Sequence, residues 1–453
     1  MRRGLVLFTC DLRVRDQQAL ASAVRDCSEV IPLFVLDEEL LARGAATPNR
    51  IAFLRDCLTD LDAQLRERGG ALTLRRGDVV AETLRLAERF GAGTVHISAD
   101  ATPYAHARRE RLAEACARAR VELREHDGPS VHRPGELTPA AGGHYRVFTP
   151  YWRVWQARQP PPAAPTPRRI AVPPALEGAM RLPSVRTLSG GCPSAGAIAG
   201  GERAGRERLA RWLTDGLASY GERHDDLAGE ATSRLSAFLH FGCLSPREVL
   251  ARAREREGAE EFVRQLCWRD FHRQVLADRP DMPRCDYRPR GDRWRRSRRE
   301  LEAWREGRTG YPIVDAGMRQ LAQEGYMHNR ARLIVGSFLT KTLYLDWRHG
   351  AAHFAALLSD ADVANNVGNW QWVAGTGNDT RPNRVLNPLR QAVRFDPDGE
   401  YVRRHVPELS GVAGRAVHEP WRLPERERRA LAYPAPLVDH DAAARELRAR
   451  RAR

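Results

Sequence analysis

The chain has almost no lysine. Lys341 stands alone among 73 basic residues, so its positive charge is carried by arginine. It also lacks an apolar run of the roughly 18 residues that a membrane-spanning helix needs. The short run Leu5–Phe8 reaches Cys10-Asp11 too soon for a secretory signal, which implies a cytoplasmic protein. Eight cysteines are scattered at 10, 27, 57, 116, 192, 243, 267 and 285 with no C-x-x-C pair. That spacing excludes a zinc ribbon, a cysteine-ligated cluster and a redox dithiol, and leaves small buried hydrophobes. Internal repeats are absent. No G-x-G-x-x-G follows the first apolar run, so a Rossmann dinucleotide site is not supported.

What is present is length, a core and charge. At 453 residues with 42% hydrophobic content, the chain can build two or three domains with real cores. A net charge of +15 favours a polyanionic partner, although 58 acidic residues accompany the arginines.

Residues 1–128 alternate strand and helix patterns. Leu5–Thr9, Val30–Leu36, Ala71–Arg75, Thr94–Ser98 and Val121–His126 are short and rich in apolar or β-branched residues, which predicts buried strands. Between them, Pro48–Arg68 places Ile51, Leu54, Leu58, Leu61 and Leu65 on one helical stripe, with Thr47 as its cap. Asp78 starts the next helix and Gly91 stops it. Five such units predict a five-stranded, parallel, doubly wound α/β domain. Residues 129–201 read as a Pro-, Gly- and Ser-rich linker, docked by the aromatic segment Tyr145, Phe148, Tyr151, Trp152 and Trp155. From 202 to 453 strand signals nearly vanish, predicting an all-α domain. Its expected helices include Glu202–Tyr220, Ser233–Phe241, Pro246–Glu257, Ala259–Ala277, Val314–Glu324, Asn329–Tyr344 and Ala351–Leu358. The Ala/Arg-rich end, Ala443–Arg453, reads as a charged terminal helix or a frayed tail.

Five segments carry chemistry. Thr232-Ser233-Arg234-Leu235-Ser236 opens a helix, where free N–H groups favour an anion; a plain cap is the simpler reading. Gln265-Leu266-Cys267-Trp268-Arg269-Asp270-Phe271-His272 sets a tryptophan beside polar groups, suited either to base stacking or to a core. Arg293–Arg299 is a dense arginine run around Trp294, fit for phosphate contacts or for a solvated face. Gly325–Arg332 holds Arg330 and Arg332, which need acidic or phosphate partners if buried. Asp360–Gly377 packs Asp360, Asp362, three asparagines, Trp370 and Trp372 into one short span, too polar for a core helix and too aromatic for a loop.

Together these segments resemble the photolyase/cryptochrome family, specifically the class I cyclobutane pyrimidine dimer photolyases. The resemblance begins at Phe8-Thr9-Cys10-Asp11-Leu12-Arg13 and passes through Thr232–Ser236 and Trp268–Phe271. It runs densely from Trp304 to Pro407, where Gly307–Asp315, Met327-His328-Asn329-Arg330 and Asn369-Trp370-Gln371-Trp372 are its most specific parts. It implies an N-terminal antenna domain and a C-terminal helical domain holding one FAD, reduced in its active form. Tyr220, Thr232, Ser233, Leu235 and Ser236 would surround the flavin phosphates and ribityl chain. Asn329, Arg332, Asp360, Asp362 and Asn366 would line the ring, with Asn366 facing N5. Trp370, Trp347 and Trp304 match a relay carrying an electron from the surface to the excited flavin. Trp268 and Trp372 would wall a flipped-out dimer, Gln265 and Leu333 would face it, and Arg330 would contact its phosphate. The implied reaction is light-driven dimer splitting in UV-damaged DNA by a cytoplasmic monomer, nucleoid-associated when on DNA.

Departures are visible. Gln265 stands where the family carries Glu, and Leu333 where it carries Met. Cys10 replaces a basic residue. Tyr104-Ala105-His106-Ala107-Arg108-Arg109 lacks the Asn-Glu pair of folate-binding members, which favours a deazaflavin antenna over methenyltetrahydrofolate. His328-Asn329 replaces the His-His pair typical of (6-4) enzymes. The main alternative is a cryptochrome-like blue-light receptor that signals without repair. Without the resemblance, the chain reads as a basic helical nucleic-acid-binding protein with an α/β nucleotide-binding module.

Overall fold

The structure is a computed structural model that describes residues 2–174, 176 and 181–451. The linker positions 175 and 177–180 and the tail residues 452 and 453 lie outside the described residues. Contacts divide the chain into two units. The first comprises residues 1–193, 198–218 and 233–280; the second comprises 194–197, 219–232 and 281–453.

The first unit is built on a parallel sheet of β1 (Arg3–Phe8), β2 (Glu29–Asp37), β3 (Thr73–Gly77), β4 (Ala92–Ser98) and β5 (Glu122–His126), in the order β3-β2-β1-β4-β5. Leu5 pairs with Ile31 on one side and Val95 on the other. The central strands are buried on both faces, which explains their continuous apolar runs. Edge strand β5 is half-exposed and carries charge instead. The Val79–Phe90 helix begins where Asp78 accepts from the Ala81 N–H (2.8 Å) and ends at Gly91, whose φ of +62° suits glycine. The helix, Pro48–Arg66, buries Ile51, Leu58, Leu61 and Leu65 of its expected stripe, while Leu54 is only partly buried. Thr47 precedes it but does not cap it, because its hydroxyl accepts from Arg50 Nε instead (3.1 Å).

The sequence boundary at 201 is not where contacts divide the chain. Helices Glu202–Asp215, Ser236–His240, Pro246–Arg254 and Glu260–Asp278 belong to the sheet-bearing unit. Buried polar groups tie them there. Glu202 accepts from the Val14 N–H (2.7 Å), and Arg13 donates to the Gly242 carbonyl (2.9 Å). Asp270 accepts from the Val131 and His132 N–H groups and from Trp155 Nε1, at 3.0, 3.1 and 3.0 Å. Such pairs satisfy groups that burial would otherwise penalise. The linker stretch is also not all coil, since Phe148–Ala157 is a helix burying Phe148, Tyr151, Trp152 and Trp155.

The second unit is helical. Its main elements are Pro312–Glu324, Asn329–Ser337, Trp347–Leu357, Val363–Ala374, Pro388–Phe395 and His440–Arg451. The single helix expected over Asn329–Tyr344 gives way to a wider turn at Phe338–Thr342, and Tyr344 has a φ of +53°. The one expected over Glu202–Tyr220 stops at Asp215, before Gly216. Among the described residues no helix is long and apolar enough to cross a membrane.

Candidate active site

The Val363–Ala374 helix organises the second unit's polar cluster. Asp362 caps it by accepting from the Asn365 N–H (2.9 Å), and Gly375, with φ of +84°, ends it. Asn366 and Trp370 are four apart and share a face, whereas Trp372 points elsewhere around the helix. Asn366 donates from Nδ2 to the Ala351 carbonyl (2.9 Å), which fixes its amide plane.

Arg332, on the Asn329–Ser337 helix, donates from Nη2 to Asp360 Oδ2 (2.9 Å) and from Nε to the Met327 carbonyl (2.8 Å). The other Asp360 oxygen, Oδ1, is buried and has no hydrogen-bond partner among the described residues. A buried acceptor without a donor is costly, so a ring N–H or hydroxyl of a bound group is what this cluster lacks. The arrangement therefore fits a flavin: a cation–carboxylate pair, an oriented amide and an acceptor awaiting a donor. Thr232 Oγ1 lies 3.1 Å from the Tyr326 hydroxyl, and Tyr220 is buried at the start of the Tyr220–Arg223 turn. Asn329 is exposed. Ser233, Leu235 and Ser236 belong to the first unit. There Arg234 has a φ of +50°, the Ser233 hydroxyl accepts from the Leu235 N–H (3.4 Å), and the helix proper starts only at Ser236.

The tryptophans separate by environment. Trp370 is buried against Phe354 and Trp304, with ring centroids 4.9 and 6.0 Å away, and its Nε1 has no partner. Trp347 is fully buried and donates to Asp286 (2.8 Å). Trp304 is also fully buried, donating to the Val335 carbonyl (3.0 Å). Neither Trp347 nor Trp304 is exposed, so neither ring meets a donor in solvent. The half-exposed indole of the second unit's arginine run is Trp294, whose ring lies 5.0 Å from Tyr344. From the sequence, the arginine run around it reads as a phosphate contact or as a solvated face.

The residues expected at DNA fall in both units. Gln265 and Trp268 are in the first; Arg330, Leu333 and Trp372 are in the second. Gln265 is exposed, with Nε2 donating weakly to the Glu261 carbonyl (3.4 Å). Trp268 is half-buried and stacks flat on Phe148, with centroids 3.7 Å apart, so one of its faces is already covered. Trp372 is half-buried and donates to the Asp379 carbonyl (3.0 Å), which pins its ring. Leu333 is half-buried. Arg330 has an acidic partner. Its Nε donates to Asp225 Oδ1 (3.0 Å), its Nη2 to Asp225 Oδ2, and its guanidinium lies 4.3 Å from the Phe395 ring centre. Asp225 occupies its fork, so a phosphate would have to compete with that carboxylate for the guanidinium.

In the first unit, the sheet reverses strand order between β1 and β4, where α/β sheets place ligands. Cys10 lies just after β1, and its thiol is pushed up to about 12 by burial and by the nearby Asp100 and Asp11 charges. Tyr104 has the Arg108 and Arg43 guanidinia at 5.7 and 5.8 Å, and Arg108 Nε is buried without a hydrogen-bond partner among the described residues.

Residues 4–168 match the family described as DNA photolyase, and residues 262–453 match the FAD binding domain of DNA photolyase. The chain is 53% identical to the deoxyribodipyrimidine photo-lyase of Streptomyces griseus, covering 99% of both chains. It is similar in structure to a class III photolyase from Agrobacterium tumefaciens, with 34% identity, a TM-score of 0.93, and coverage of 100% of this chain and 97% of that one. It also resembles a Synechocystis cryptochrome, with 28% identity, a TM-score of 0.92, and coverage of 99% of both.

Proposed function

The chain belongs to the photolyase/cryptochrome family, and on that premise we propose that it is a deoxyribodipyrimidine photo-lyase, repairing cyclobutane pyrimidine dimers in UV-damaged DNA. The observation that carries this reading is the Arg332–Asp360 pair with its donor-free buried oxygen, set on the lead-in to the helix that holds Asn366. Bound FAD in its reduced form supplies the photoexcited electron that splits the dimer and receives it back. With a flavin bound, Asp360 Oδ1 would accept a ring N–H, Arg332 would balance negative charge on the ring, and Asn366 would offer its amide to the ring. Asn329, Asp362, Tyr220, Thr232, Ser233, Leu235 and Ser236 complete the cofactor set.

Trp268 and Trp372 hold the extruded dimer, with Gln265 and Leu333 at its edge. Extrusion costs least at a damaged, poorly stacked step, which selects the lesion. Gln265 can donate and accept a hydrogen bond but carries no charge, so its help to the dimer is orientation. Trp370 and Trp347 pass electrons inward, and the half-exposed Trp294 replaces Trp304 as the outer member. Residues 1–128 act as the antenna domain, 129–201 as the connection and 202–453 as the flavin- and DNA-binding part. The Tyr104–Arg109 sequence supports a deazaflavin antenna over a folate. The class I assignment, a monomeric state and a cytoplasmic, nucleoid-associated setting belong to the same reading.

Blue light on photoreduced, FAD-loaded protein with a thymine-dimer oligonucleotide tests it. Dimers should revert to thymines; persistence of the dimer, or repair of only a (6-4) product, overturns it. Signalling without repair is the second reading, favoured by the likeness to the cryptochrome structure.

A further inference from the structure

The second unit contains a tyrosine built like a redox site. Tyr344 is buried, and its ring lies 5.0 Å from that of half-exposed Trp294 at an interplanar angle of 44°. Its hydroxyl donates to Asp292 Oδ1 at 2.7 Å. The second Asp292 oxygen faces Arg451 Nη2 at 3.3 Å, and the Asp292 side chain is almost wholly enclosed. The Arg450 guanidinium lies 5.3 Å from the Tyr344 ring centre.

The backbone holds this group in an unfavourable shape. Tyr344 has a φ of +53°, a region that bulky L residues avoid and that survives only where surroundings impose it. Here they do. The Arg295 N–H donates to the Tyr344 carbonyl (2.9 Å), Arg295 Nη1 donates to the Leu343 carbonyl (3.2 Å), and a β-bridge joins Arg295 to Leu345. These contacts clamp the Trp294 segment against the segment that leads into Trp347.

We propose that Tyr344 and Asp292 form a proton-coupled electron donor that refills oxidised Trp294 and traps the hole at the edge of the relay. The step balances. Oxidised Trp294 gains one electron from Tyr344. The Tyr344 O–H bond breaks and its proton moves to Asp292 Oδ1. The products are neutral Trp294, a neutral phenoxyl at Tyr344 and a protonated Asp292. A thiol reductant in solution later returns one electron, and the Asp292 proton goes back to the phenolate. The primary oxidant is the photoexcited, oxidised flavin, so this inference rests on the flavin reading above.

Three features support the assignment. The phenol is neutral at physiological pH, its pKa pushed up to about 12 by burial and by Asp292, so its oxidation requires a proton acceptor. At 2.7 Å the acceptor is within transfer distance. And Arg450 and Arg451 place positive charge around the pair, which opposes a cationic radical and favours the neutral phenoxyl.

Paramagnetic resonance of the FAD-loaded protein under blue light tests this. Wild type should accumulate a tyrosyl signal. Tyr344→Phe should show only tryptophanyl signal, decaying severalfold faster. Asp292→Asn keeps an acceptor oxygen but cannot take the proton, and should also lose the tyrosyl signal while unfolding cooperatively by circular dichroism. A tyrosyl signal that survives in Tyr344→Phe, or is absent from wild type that does form a tryptophanyl signal, overturns the proposal. Pulsed azidyl radicals, which oxidise indoles without light or flavin, separate the two readings. If indolyl-to-phenoxyl transfer occurs in wild type and disappears in Tyr344→Phe, the pair stands even where flavin chemistry fails. Equal transfer in both proteins overturns it.

Discussion

Arg332 Nη2 and Asp360 Oδ2 meet at 2.9 Å, while the second Asp360 oxygen is buried without a donor. In the proposed flavin site, a ring N–H would supply the missing donor. Arg332→Leu leaves a buried carboxylate uncompensated and should cost roughly 1–3 kcal/mol of stability. It should also abolish FAD retention, read by the visible absorbance of purified protein. Arg332→Lys keeps the charge but loses the second bond to Met327, and should retain some flavin. Full flavin content in Arg332→Leu would remove the pair from the site.

The Arg330–Asp225 fork makes two variants diverge. Asp225→Asn frees the guanidinium, so DNA affinity should rise and its salt dependence should steepen by about one counterion. Arg330→Gln should do the opposite. Filter binding over a salt series reads both. If neither variant changes the slope, Arg330 never meets phosphate and serves only to join Asp225 to Phe395.

Trp268 keeps one face on Phe148 and offers the rest to a partner. Trp268→Ala should weaken binding of a dimer-containing oligonucleotide by roughly 1–3 kcal/mol, the value of one stacked base. Flavin content should not change. Loss of flavin instead would mean that the stack holds the fold.

Much of this architecture was legible in the chain. The five strands declare themselves because strands buried on both faces need continuous apolar runs, and Asp78 and Gly91 mark helix ends by local chemistry alone. What escaped depends on distance along the chain. Asp225 lies 105 residues from Arg330, and nothing local announces the pairing. Trp304 and Trp294 look alike as tryptophans near arginines; only packing makes one fully buried and the other half-exposed. Tyr344 looked helical, because its left-handed backbone is imposed by Arg295 and not by its own preference. Glu202–Asp215 joined the sheet-bearing unit through a carboxylate on the Val14 N–H, a contact no periodicity encodes.

Gly350 lets Trp370 pack. A Cβ at position 350, inside the Trp347–Leu357 helix, would collide with the buried Trp370 indole, which must shift within its packed surroundings to relieve the clash. Gly350→Ala should therefore destabilise by about 1–3 kcal/mol despite its better helix propensity. It should also shift Trp370 fluorescence, since the ring must move. An unchanged or raised melting temperature would show that the helix gives way freely.

The sole lysine supplies the pH test. Lys341 is buried and donates to the Ala374 and Pro382 carbonyls, with Arg451 and Arg290 nearby. Burial first, and then these cations, lower its pKa from 10.5 to about 7. The unfolded chain therefore binds this proton more tightly than the folded one between those values. Stability from this group should rise with pH across that window, by about 1.4 kcal/mol per pH unit, and be flat below it. Other groups titrate there too, the buried thiols and phenols with opposite sign, so the comparison is with Lys341→Met. That variant leaves two carbonyls unserved but removes the buried charge. Relative to wild type it should be most favourable near pH 7 and lose ground steadily toward pH 9, by urea unfolding at each pH. A constant difference across the range would mean that Lys341 holds its proton in the fold as firmly as in water.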